Sequence, residues 1–292
     1  MERRRLGRTG HESSVAILGG AAFAVTDEAG AADGFTLALD RGVNHLDIAP
    51  QYGAAERLVG PHLPAVRDRL FLACKTLRKH PDGVRAQLEH SLGLFGTDHV
   101  DLYQLHAVTT VEVLDERMGA LAEIERARDE GLTRFVGITG HDMTAPATFR
   151  EALRRHDFDT VMFPVYPRLW ADADYRREAE ALLETCAERD VGVMAIKAAA
   201  ARPWAAKRDE GPDGDRWATS WYEPEADAEK VARGVRFALS TPGVHAFCTP
   251  GDLGVLPLAL DAAERFTPAD ADVRAGMVAA QAGEDVIFPI TV

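Results

Sequence analysis

The sequence predicts a closed barrel of eight parallel strands, each followed by a helix. Three observations carry that prediction. Short runs rich in Val, Ile and Leu alternate with longer segments in which apolar residues recur every three or four positions, the pattern of a strand buried on both faces followed by an amphipathic helix. Eight such runs occur, at residues 15–21, 44–49, 70–75, 100–106, 135–139, 160–165, 191–197 and 244–249. Asp47, Lys75, His106 and Gly137 succeed one another at intervals of about 30 residues, the length of one βα unit, and eight consecutive units favour closure over an open sheet. Barrels of this kind fill about 250 residues as one unit, so residues 1–292 are expected to be one (β/α)8 domain.

The polar start suits a β-hairpin turning at Arg8-Thr9-Gly10. Arg3, Arg4 and Arg5 followed by the apolar run 15–25 imitate a secretory leader, but Gly19 and Gly20 interrupt that run. Thr26-Asp27-Glu28 then opens a helix with a cap and an acidic first turn, so a buried strand is the better reading. Val84, Leu88 and Leu92 mark one later helix, begun by Pro81-Asp82, and Leu114, Met118, Leu121 and Ile124 mark another. Gly42 and Gly131 stand where helices should stop. The rhythm breaks once, at residues 202–227, a long polar connection between the seventh and eighth strands that carries Trp204, Trp217, Trp221 and Tyr222. Loops of that length are usually lids or disordered. Their aromatic residues favour a loop that packs on something, and a solvated loop is the alternative.

The formal net charge of -13 opposes binding to nucleic acid or to an anionic membrane, since both would be repelled without a concentrated basic patch. No run approaches the roughly 18 apolar residues needed to span a bilayer. Cys74, Cys186 and Cys248 are odd in number, far apart and without a CxxC pair. Neither a disulfide framework nor a zinc site is indicated, and a reducing, cytoplasmic location is expected. Oligomeric state is not legible.

In a parallel barrel the carboxyl ends of all strands open on one face, where active sites are built. Asp47 ends the second predicted strand, Lys75 the third and His106 the fourth, and Tyr52 follows in the loop after Asp47. Singly, each has an ordinary explanation: a helix cap, a lysine reaching solvent, a core histidine. Independent causes of that kind do not place them at successive strand ends. Together they can protonate a carbonyl. Tyrosine, with an ordinary pKa near about 10, is a poor acid at neutrality unless its phenolate is stabilised. The Lys75 ammonium favours that ionised form, Asp47 keeps the lysine charged and aimed, and His106 donates to the carbonyl oxygen as negative charge develops. The same aspartate disfavours Lys75 as an imine-forming nucleophile, which needs a depressed pKa. Cys74 and Cys248 read as small buried residues.

These segments also resemble the aldo/keto reductase family over nearly the full chain. RRLGRTGHESSVAILGGAAF is similar to the family's opening hairpin and first strand, LDIAPQYGAAERLVG to its signature, and FLACKT and DLYQLHA to its lysine and histidine segments. The resemblance implies reduction of an aldehyde or ketone of a small molecule with NADPH, or with NADH. Tyr52 would be the general acid, Lys75 and Asp47 would tune it, and His106 would orient the carbonyl. No metal is implied, and the cofactor would lie extended across the barrel mouth, in keeping with the lack of a G-x-G-x-x-G loop before a helix.

The cofactor half departs from the family's usual residues. Where Ser-Asn commonly follows the fifth strand stand Thr139, Gly140 and His141. Met162 replaces a glutamine at the end of the sixth strand, and Ile196 replaces a tyrosine that stacks on the nicotinamide. Lys197, next to it, reads either as a ligand for the cofactor pyrophosphate or a substrate anion, or as a solvated strand end. Thr249, Gly251 and Asp252 lead into a helix whose start can hold a phosphate, but Asp252 stands where the family often supplies a cation for the 2′-phosphate of NADP. Substrate choice would fall to Trp170, Trp204, Trp217, Trp221 and the segment 284–292, whose Phe288 and Ile290 close over the substrate or pack outside the barrel. A different class of function stays open: a nicotinamide-binding sensor or regulatory subunit with little catalysis.

Overall fold

The computed structural model describes residues 1–204 and 220–288. Trp217, Ile290 and the middle of the connection 202–227 lie outside the described residues. Strands β1 (Arg3–Arg5) and β2 (Glu12–Ser14) pair antiparallel as the expected hairpin, and Gly10 turns with φ 69 between them. The barrel strands follow as β3 (Ala16–Gly19), β4 (His45–Asp47), β5 (Phe71–Thr76), β6 (Val100–Leu105), β7 (Thr133–Thr139), β8 (Thr160–Pro164) and β9 (Gly192–Ile196). After a short antiparallel pair, β10 (Ala200–Arg202) with β11 (Glu223–Pro224), comes β12 (Ala246–Cys248). Because β12 pairs in parallel with both β9 and β3, the sheet closes and has no edge.

Helices such as Glu28–Asp40, Pro81–Phe95 and Ala145–Arg155 return the chain between strands. Their ends follow local chemistry. Asp27 accepts from Gly30 N at 2.8 Å as the cap of the first, and Gly42 and Gly131, both at φ 83, turn the chain after the helices that they follow. Two expectations change. The first strand stops at Gly19, not at residue 21, because Gly19 N donates to the Thr249 hydroxyl at 2.9 Å and Gly20–Phe23 coils into a 3-10 turn. The segment holding Leu114 to Ile124 forms two helices, Val111–Glu116 and Met118–Asp129, since Arg117 between them leaves helical geometry at ψ 6.

Strand alternation sorts the side chains into two layers. Phe71, Ala73, Leu102, Met162, Met194 and Ile196 fill the barrel interior together with Leu6 from the hairpin, while Leu72, Cys74 and Tyr103 face the helices. Leu6 closes the amino end of the barrel. The carboxyl end is left to polar residues. No helix among the described residues is long and apolar enough to cross a membrane.

Candidate active site

Asp47 at the end of β4 and Lys75, the last residue but one of the adjacent β5, are buried and form an ion pair in which Lys75 Nζ donates to Asp47 Oδ2. The other carboxylate oxygen accepts from Gln104 Nε2 at 2.9 Å. Burial is the largest single influence on the Lys75 ammonium and pushes it down, but Asp47, by charge and hydrogen bond, together with Tyr52 and Cys248 raises it further and holds the lysine above its ordinary pKa. Beyond β4 the chain turns at Gly53, with φ 51, where a Cβ would lie 2.4 Å from the Ala24 carbonyl oxygen. Only glycine fits there. That turn brings Tyr52 back over the barrel mouth, with Lys75 Nζ 5.3 Å from its ring centroid. His106 follows β6, anchored by its N–H to Thr76 O at 2.9 Å. Its ring meets Tyr52 edge to face, centroids 5.9 Å apart, and its Nδ1 is 3.4 Å from Gln51 Oε1.

Burial sets the protonation of these groups. It pushes the Tyr52 phenol up to about 12 while the Lys75 charge pulls the other way. The depression expected from Lys75 is therefore present but outweighed in the free protein, and the tyrosine keeps its proton through the neutral range. Burial, helped by Lys75, His141, Arg117 and Lys197, holds His106 well below the ordinary histidine value, so its imidazole is neutral. The arrangement holds a protonated phenol and a neutral imidazole side by side above a buried ion pair.

These four residues line one open cavity at the barrel mouth. The same cavity takes in Thr139 at the end of β7, His141 after it, Met162 on β8, Ile196 and Lys197 at the end of β9, and Thr249 and Gly251 after β12. Gly140 and Asp252 are not in its wall. Gly140 serves packing: its N–H bonds Met162 O at 3.1 Å, and a Cβ on it would lie 2.1 Å from Val108 O. Asp252 accepts from Gly254 N at 2.7 Å, closing a turn, and the helix into which this segment leads starts at Leu256. His141 Nδ1 is buried with no hydrogen-bond partner among the described residues. Three non-glycine residues take left-handed φ at or just after cavity residues, Ala107 at 56, Asp142 at 81 and Lys197 at 70. Such strain collects where a fold positions a site.

The β10–β11 pairing returns the long connection to the barrel mouth. Tyr222 lines the cavity, and Trp221 packs on His141 at 6.2 Å and on Phe288 at 5.8 Å between ring centroids. Phe288 thus sits at the mouth, not on the barrel's outside, with Glu284 ion-paired to Arg168 at 2.5 Å. Trp204 donates to Ser220 O at 3.1 Å. Trp170 is away from the mouth, buried against Tyr175 and Phe237. Sequence reading missed Gln104, which lies inside the apolar run of β6 two residues before His106. It also gave Cys248 a plain core role. Cys248 lines the cavity, and burial pushes its thiol up to about 12.

A sequence model of the aldo/keto reductase family matches residues 16–233. The chain belongs to the aldo/keto reductase family. Aldo-keto reductase YhdN of Bacillus subtilis (strain 168) is 30% identical over 175 residues, which are 53% of this chain and 52% of that protein. L-galactose dehydrogenase of Arabidopsis thaliana is 30% identical over 159 residues, 48% of this chain and 49% of that one. The chain thus spans about half the length of the curated relatives that it matches. The holo form of aldo-keto reductase AKR11C1 from Bacillus halodurans shares the fold across 98% of both chains, with a TM-score of 0.72 at 22% identity. Within an aldo/keto reductase of this kind, the cavity at the carboxyl ends of the strands is where Asp47, Tyr52, Lys75 and His106 meet.

Proposed function

We propose that the protein reduces an aldehyde or ketone of a small molecule with NADPH or NADH, and that Tyr52 protonates the carbonyl oxygen. One observation carries this reading: the Asp47–Lys75 ion pair lies buried beneath Tyr52, whose ring abuts a neutral His106. His106 and Tyr52 would hold the carbonyl oxygen between them. As negative charge grows on that oxygen the phenol gives up its proton, and the Lys75 ammonium stabilises the phenolate left behind. Asp47, fixed by Gln104, keeps the ammonium charged and in place. When bound, the reduced nicotinamide supplies the hydride.

The residues present fit such a cofactor. His141 Nδ1 is a buried polar atom in want of a partner beside Thr139, and Met162 and Ile196 offer apolar faces in the same cavity. We assign these four to the nicotinamide end and Gly251 to the approach of the nucleotide. The cysteines Cys74, Cys186 and Cys248 are all free thiols, which supports a reducing location such as the cytoplasm.

The test is Tyr52→Phe. Turnover of 4-nitrobenzaldehyde, followed by consumption of NADPH, is expected to fall about 10²- to 10⁴-fold. NADPH and NADH binding, followed by quenching of tryptophan fluorescence, should persist. Unchanged turnover would remove Tyr52 from the role of acid, and binding of neither nucleotide would remove the reductase reading itself.

A further inference from the structure

The cavity holds a positive charge that proton transfer does not use. Lys75 is neutralised by Asp47, but Lys197, at the end of β9, has no carboxylate partner among the described residues. Its Nζ lies beside two adjoining aromatic rings, 4.9 Å from the Trp221 centroid and 4.7 Å from that of Tyr222. Ring faces favour the charged ammonium, but they offer no lone pairs to its three N–H donors. The ammonium is partly buried in the cavity wall, and an anion that entered would give its N–H donors a charged acceptor. The backbone at Lys197 is held at φ 70, a conformation that a lysine seldom adopts, so the fold over-determines where this side chain goes.

Its position selects the partner. From Lys197 a chain of ring contacts runs through Trp221 to His141 at 6.2 Å, on to His106 at 6.5 Å and then to Tyr52 at 5.9 Å. The ammonium lines the same cavity as His106 and Tyr52, and its charge is felt at His106. The chain as a whole carries a formal charge of -13, which repels anions at a distance. Attraction for an anion is thus local to this cavity.

We propose that Lys197 anchors a carboxylate on the substrate, and that carbonyl compounds bearing such a group are the class that this site takes. The inference rests on the reductase reading for the reaction but not for the binding. Lys197 acts as a specificity-determining residue: the ammonium donates to the carboxylate while His106 and Tyr52 receive the carbonyl at the other end of the same molecule. Tyr222 is buried beside Lys197 and lowers the water content on that side of the contact, which strengthens a charge-assisted bond.

Two aldehydes of the same shape test it, 4-formylbenzoate and 4-formylbenzamide. The carboxylate is expected to be the better substrate in kcat/KM by about tenfold or more, the range for a hydrogen bond to a charged group. The preference should disappear in Lys197→Met and in Lys197→Gln and return in part in Lys197→Arg, with each variant's fold checked by circular dichroism. A second readout needs no turnover: the alcohols 4-(hydroxymethyl)benzoate and 4-(hydroxymethyl)benzamide are titrated against tryptophan fluorescence, and the wild type should prefer the carboxylate. If neither aldehyde is reduced but the carboxylate still binds more tightly through Lys197, the anchor stands and the reductase reading falls. If both are reduced equally well, or the preference survives loss of the lysine, the anchor is overturned and the reductase reading stands. Weakened NADPH binding with an unchanged preference also overturns it, giving Lys197 to a cofactor phosphate.

Discussion

The same strands build two unlike ends of one barrel. At the amino end β4 carries His45 and β5 carries Phe71, and at the carboxyl end they carry Asp47 and Lys75. Both ends bury polar groups, and both leave ring nitrogens without a partner among the described residues, His11 Nε2 and His45 Nε2 below, His141 Nδ1 above. What those nitrogens face differs. His11 stacks on Phe71 at 4.5 Å and His45 meets the same ring edge-on at 4.7 Å, whereas His141 lines the cavity. Near the amino end Asp101 is 4% exposed, yet it accepts from Leu72 N and is paired with Arg67 and Arg134, all at 2.8 Å. Burial of a polar group therefore does not separate stability from chemistry. The separation comes from whether the group borders space that a ligand can enter.

The comparison is broken most forcefully at Lys75. Lys75→Met leaves the Asp47 carboxylate buried without its counter-charge, an error worth about 3–5 kcal/mol of stability by urea unfolding. Turnover should be lost as well. Adding Asp47→Leu removes the stranded charge, so the double variant is expected to regain most of the stability and none of the turnover. A double variant that regained turnover would show the pair to be scaffolding. Asp101→Asn is the counterpart at the other end. It takes a charged acceptor from Arg67, Arg134 and Leu72 N, with an expected loss of about 1–3 kcal/mol. Turnover of the folded protein should hold at the wild-type level, and a fall larger than the unfolded fraction explains would mean that the two ends are coupled.

What the sequence disclosed follows the same division. The barrel was legible because strands buried on both faces leave continuous apolar runs, and the repeat of about 30 residues counts its units. Asp47, Lys75 and His106 were legible as polar residues ending such runs, and Tyr52 through the Pro50 and Gly53 that bend its loop. Gln104 was hidden inside a run, since a buried amide that serves one carboxylate leaves no local signal. Trp221 and Tyr222 were visible as residues but not as a wall, because their place depends on the pairing of β11 with β10 across a long connection. The turn at Asp252 was not legible, because its carboxylate closes on Gly254 N, a contact that no local pattern announces.

The smallest expected effect sharpens the amino end alone. Burial drives the His11 imidazole down to about 4, against a partial upward pull from Asp101, while the unfolded chain keeps the ordinary 6.5. A base with a depressed folded pKa binds its proton more readily when unfolded. Its contribution to stability is therefore fully present above about pH 6.5 and is lost as pH falls towards 4. His45, pushed down by burial and by His11, acts in the same direction. His11→Phe keeps an aromatic face on Phe71 and removes one of these two titrations. The wild-type urea midpoint should fall as pH is lowered from 7 to 4, and that of the variant should fall less steeply, by on the order of 1 kcal/mol at pH 5. Parallel slopes would place the acid sensitivity elsewhere, at the carboxyl end, where His106 and His141 are also held neutral by burial.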